Sequence, residues 1–164
     1  CFLAAARPLI QYSGWTMNTF PRAPFVLGLG GVAPFAALAI ALWVLPGGDA
    51  RTMGTWLVGY GAVILTFVGA LHWGVAMVHP EVSERDRALL MSWSVVPALV
   101  AWVALVLPLL FGLGVLAVMF IVQFEADRRL DRRFPVTPWF LRLRGRLTIA
   151  VVVCIVLAAA SLVR

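Results

Sequence analysis

The chain has 164 residues, 63% of them hydrophobic and 12% charged, with 13 basic and 7 acidic side chains for a formal charge of +6. A composition this apolar excludes an ordinary water-soluble domain and makes the placement of the few charges the main remaining signal. All thirteen basic residues are arginine, which reads as genomic composition before it reads as bidentate phosphate binding.

In chain order, residues 1–23 read as a poorly ordered N-terminal extension and residues 24–164 as one membrane domain. Met17 makes a better-behaved start than Cys1, so residues 1–16 read as upstream extension. Cys1 stands at the N-terminus and Cys154 inside an apolar run, an arrangement that suggests neither a disulfide framework nor a metal site. The first apolar segment runs from about Phe25 to Leu45 and stops at Pro46-Gly47-Gly48. The second runs from about Thr55 to Val78 and is closed by Pro80. The third follows Ser83, whose spacing to Asp86 fits a capping box, and ends near Leu107-Pro108. The fourth runs from about Leu109 to Phe124 and passes into the charged stretch 125–133. The fifth is Leu147 to Val163. Residues Ala88 to Gln123 carry no charged side chain, and spanning ~30 Å of hydrocarbon takes about 20 apolar residues, so this stretch holds two spans joined by a turn at Pro108. The expected fold is all-α, an integral membrane bundle of five transmembrane helices.

Orientation follows from the arginines. Eleven lie on the side of the N-terminus: Arg7, Arg22, Arg85, Arg87, Arg128, Arg129, Arg132, Arg133, Arg142, Arg144 and Arg146. Only Arg51 and Arg164 lie on the other, which predicts the N-terminus inside and the C-terminus outside. Thr137-Pro138 has the chemistry of a helix start, and the alternation of Trp139, Phe140, Leu141 and Leu143 with Arg142 and Arg144 predicts a short interfacial helix before the fifth span. Trp139, Arg142, Arg144 and Arg146 are the candidate contacts to anionic lipid headgroups.

Three stretches resemble a known family in their residues and order. They are Tyr60 to Gly74 (YGAVILTFVGALHWG), Trp93 to Pro97 (WSVVP), and Ala126 to Leu130 (ADRRL) followed by Trp139 to Arg144 (WFLRLR). This pattern, which extends over about Pro24 to Val163, resembles the transmembrane-protein-69-like family, a domain of unknown function of bacterial and mitochondrial inner membranes. The resemblance implies a small polytopic protein, here of a bacterial inner membrane, and carries no established reaction with it.

Within the second span, Gly59, Ala62, Thr66, Gly69 and Trp73 recur at helical spacing and form a candidate packing stripe, since small residues let helices approach closely in lipid. His72 lies about five residues before the inner end of that span, roughly 7–8 Å below the interface, where an ionisable group needs a polar partner. Glu125, Asp127, Arg128 and Arg129 are the expected partners, forming with His72 a polar cluster that acts either as a helix clamp or as a binding site. His72 and His79 offer no ligand set with a carboxylate or cysteine, so no metal and no cofactor is expected. The partners implied are the bilayer with its anionic headgroups and a membrane-protein partner or a second copy, with no nucleic acid. The favoured function is a non-catalytic accessory, assembly or scaffolding subunit. A transporter or lipid-handling protein with a polar pocket around His72, Glu125 and Arg128 is the alternative, and a membrane-embedded enzyme ranks third because no catalytic pair can be named.

Overall fold

The computed structural model describes residues 22–45, 47–137 and 139–163. Expectations for residues 1–21, including Cys1, Arg7 and Met17, and for Pro46, Pro138 and Arg164 lie outside the described residues. Six helices follow one another: α1 (Arg22–Val44), α2 (Gly47–Gly69), α3 (Leu71–Val78), α4 (Glu84–Val106), α5 (Leu109–Arg133) and α6 (Phe140–Ser161). Across Ala70 the amide of Gly74 still reaches the Ala70 carbonyl at 3.3 Å, so α2 and α3 form a single 32-residue rod. Counted this way, five rods among the described residues are long and apolar enough to cross a membrane.

The helix ends depart from the hydropathy boundaries in one direction: helices run on into charged sequence. α2 starts at Gly47 rather than near Thr55, and the hydroxyls of Thr52 and Thr55 bond back to the carbonyls of Gly48 and Arg51. α5 continues past Phe124 to Arg133 because Glu125 pairs with Arg128 and Arg129 at i+3 and i+4, which supports a helix outside the apolar layer. Its last turn carries Arg132 and Arg133, the charge that suits a helix C-terminus. At the start of α4, the Ser83 hydroxyl accepts from the Asp86 amide at 3.2 Å, the expected cap. The separate interfacial helix expected before the last span is absent from the described residues. Phe140 to Ser161 is one continuous helix, because Arg144 turns inward to a buried partner instead of lying in the headgroup plane.

The bundle has two central members. α2 packs on α1, α4 and α5, while α5 packs on α2, α4 and α6, and α1 against α6 closes the ring. Its core is apolar, with Phe35, Leu57, Leu65, Leu113, Leu116, Phe120 and Ile155 interdigitated. Phe35 meets Tyr60 and Phe120 edge to face at centroid separations of 5.0 and 6.1 Å. The Tyr60 hydroxyl donates to the Gly31 carbonyl at 3.0 Å, next to the Gly30 carbonyl that Pro34 leaves without its helical donor.

Close approach of α2 to α4 depends on Gly69. A Cβ there would stand 2.8 Å from the Pro97 ring and 3.1 Å from the Ser94 carbonyl. Successive rods alternate in direction, so Arg22, the 79–83 connection, residues 125–137 and the start of α6 gather at one end. That end holds Arg22, Arg85, Arg87, Arg128, Arg129, Arg132, Arg133, Arg142, Arg144 and Arg146, against Arg51 at the other.

Candidate polar cluster and cleft

α3, α4, α5 and α6 each deliver one or more polar side chains to the same buried layer at the arginine-rich end. Gln123 is its hub. The Trp93 indole N–H donates to Gln123 Oε1 at 3.2 Å, and since indole is a donor only, the amide nitrogen must face the other way. That nitrogen donates to Asp127 Oδ1 at 3.0 Å and lies 3.2 Å from His72 Nδ1. His72 Nδ1 therefore accepts, a role that needs the imidazole proton on Nε2. The other carboxylate oxygen of Asp127 takes the Arg144 Nε–H at 2.8 Å. His72, Gln123 and Asp127 are 2%, 0% and 1% exposed, so the chain Trp93–Gln123–Asp127–Arg144, with His72 as a side branch, is buried from Gln123 onward and half-buried at Trp93. Arg144 Nη2 and the Thr148 hydroxyl one turn further along α6 are buried without a hydrogen-bond partner among the described residues.

The residues named from sequence are thus divided. His72 and Asp127 come together, with Nδ1 of the imidazole 3.7 Å from Oδ1 of the carboxylate. Glu125, Arg128 and Arg129 do not join them. Glu125 instead gathers the exposed Arg128 at 3.2 Å, Arg129 at 3.4 Å and Arg132 at 3.2 Å in a separate network on α5. The reason is helical spacing, since two residues on from Glu125 the side chain points to a different face. Arg144, expected among lipid headgroups, is buried against Asp127, whereas Arg142 and Arg146 are exposed and Trp139 is half-buried at the start of α6. Of the expected stripe on the α2–α3 rod, Ala62 and Gly69 are buried, while Thr66 and Trp73 are exposed and Gly59 faces open space. The buried face is displaced toward Gly54, Leu57, Val58, Gly61, Leu65 and Val68. Thr66 needs no partner helix because its hydroxyl bonds the Ala62 carbonyl at 2.9 Å.

Sequence reasoning missed Gln123, Trp93 and the inward turn of Arg144. A polar amide at the end of an uncharged run of 36 residues, Ala88 to Gln123, was the signal available for the hub.

Beside this layer, a cleft of about 560 Å³ opens between α3, α4 and α5. Asp86, Glu125, Arg129 and Arg133 bring charge to it, and His72 forms part of its lining. Its apolar walls include Leu89, Trp93, Val122, Leu130 and Phe134. Arg133 pairs with Asp86 at 2.9 Å and stands 5.6 Å over the Phe134 ring. Arg128 does not line the cleft. Among the described residues, no group of three or more His, Cys, Asp or Glu side chains is placed to hold a metal ion.

Residues 20–160 match the family described as "Protein of unknown function (DUF3429)". The chain is also similar to a protein named Transmembrane protein 69 from Xenopus tropicalis, with 31% identity over 157 residues, or 90% of this chain. It spans 58% of that relative's length. No solved structure matches the chain.

Proposed function

The chain belongs to the DUF3429 family of multi-pass membrane proteins of unknown function, and from that premise and the geometry above we propose that it is a non-catalytic accessory, assembly or scaffolding protein of a bacterial inner membrane. In this reading the N-terminus lies inside, in keeping with the arginine asymmetry. The observation that carries the proposal is the hydrogen-bonded chain from Trp93 to Arg144. It commits the polar side chains of four helices to one another, as a device for fixing shape does, and leaves His72 engaged by Gln123. Partner contact is assigned to outward small and aromatic residues of the α2–α3 rod, where Gly59 has no neighbour and Thr66 and Trp73 are exposed.

Native purification followed by mass spectrometry tests the role. Stoichiometric co-purifying subunits support it, and a lone protein with a tightly held small solute refutes it. His72→Gln separates the clamp from a site that titrates, because glutamine can still accept from Gln123 but cannot change charge near neutral pH. Abundance and any deletion phenotype should both persist in that variant. A well-folded variant without the phenotype would instead favour the transporter reading, to which the cleft beside His72 gives some support.

A further inference from the structure

We propose that the cleft between α3, α4 and α5 binds one anionic phospholipid, its phosphodiester at Arg129 and Arg133 and an acyl chain along Leu89, Trp93 and Val122. This goes beyond the scaffolding role and does not depend on it.

The first argument is the order of side chains. Along α5, Val122, Glu125, Arg129 and Arg133 are spaced by three or four residues, so they lie on one face, grading from apolar to cationic over roughly 16 Å of helix. Along α4, which runs in the opposite direction, Trp93 and Leu89 lie deeper and Asp86 lies at the charged end. Both walls therefore run from apolar to charged in the same direction, the profile of a lipid from chain to headgroup. Leu89 is 59% exposed, so the apolar part is open to the surrounding hydrocarbon and a chain can enter sideways.

The second argument is charge. Arg133 is matched by Asp86, whereas Arg129 shares Glu125 with Arg128 and Arg132, so the carboxylate beside Arg129 is divided among three guanidiniums. Arg129 is 76% exposed and held by a single contact of 3.4 Å, so its guanidinium can turn to a phosphate with little loss. A guanidinium offers paired donors that match two phosphate oxygens. A guanidinium whose carboxylate is shared with two others favours a headgroup without a compensating cation, and basic pockets at helix ends on the arginine-rich side of membrane proteins suit such headgroups. The apolar walls are what a free inorganic anion would not use.

The experiment is native mass spectrometry on the full chain in detergent, titrated with phosphatidylglycerol or phosphatidylcholine of identical acyl chains. The wild type should retain one phosphatidylglycerol in preference to phosphatidylcholine. Arg129→Gln/Arg133→Gln should weaken phosphatidylglycerol by about thirtyfold, while Arg85→Gln, an equal loss per residue at the same end but outside the cleft, should bind as the wild type does. Leu89→Trp keeps every charge and narrows the apolar wall, so it should weaken retention even if the arginine variant fails to accumulate. Millimolar inorganic phosphate should leave the lipid bound. The proposal is overturned by equal retention of the two lipids, by an equal loss in Arg85→Gln, by undiminished retention in Leu89→Trp, or by displacement with phosphate, which would make this a site for a soluble anion.

Discussion

Asp127 carries one charge and divides it between two neighbours, accepting from Gln123 within its own helix and from Arg144 on α6. Both ions of the Asp127–Arg144 pair are at least nine-tenths buried, so removing one leaves the other charged and without solvent. Arg144→Ala should therefore lower the unfolding free energy by about 3 kcal/mol, measured by denaturant titration in detergent. Arg128→Ala, which removes an ion pair with a half-exposed guanidinium, should cost under about 1 kcal/mol. Equal costs would mean that water reaches Asp127. At this scale, His72 could be found in the sequence because an ionisable group alone in an apolar span demands a partner. Asp127 was among the carboxylates named for it. Gln123 was not, since an uncharged amide does not interrupt an apolar run, and Arg144 was not, since one arginine among several gives no sign of which turns inward.

Between helices, the limiting quantity is the distance of backbone approach. Gly69 lets α2 lie against Pro97 and Ser94 of α4, and a side chain there has backbone and a rigid ring to meet. Gly112 does the same for α5, where a Cβ would come 2.6 Å from the Ala104 carbonyl. Gly69→Leu should separate α2 from α4 and reduce the folded protein recovered from membranes, whereas Val63→Leu, on an outer face that is 65% exposed, should accumulate as the wild type does. Comparable recovery of the two would place Gly69 against lipid. The number and order of the spans could be read from apolar runs, prolines and the Ser83 cap, because those features act locally. Their ends could not, because a helix continues wherever its hydrogen bonds and i+4 ion pairs permit, regardless of hydropathy. The face of α2 that packs was also illegible: small residues at helical spacing mark two neighbouring stripes, and only the facing helices select one of them.

For the molecule as a whole, the charges separate the two ends, with Asp49 and Arg51 facing the ten described arginines across the bundle. A reporter active only outside the cytoplasm should work when fused after Arg164 and fail when fused between Arg133 and Pro135. Activity in the reverse pattern would invert the orientation. The pairing of Asp127 with Arg144 has a further consequence in time. Residue 127 is synthesised and enters the membrane before residue 144, so a nascent chain ending before α6 holds the carboxylate without its guanidinium. α6 is thus the helix whose arrival neutralises the interior, and a chain truncated ahead of it displays an uncompensated acid in α5, a mark by which a chain not yet through α6 differs from one that has folded it in.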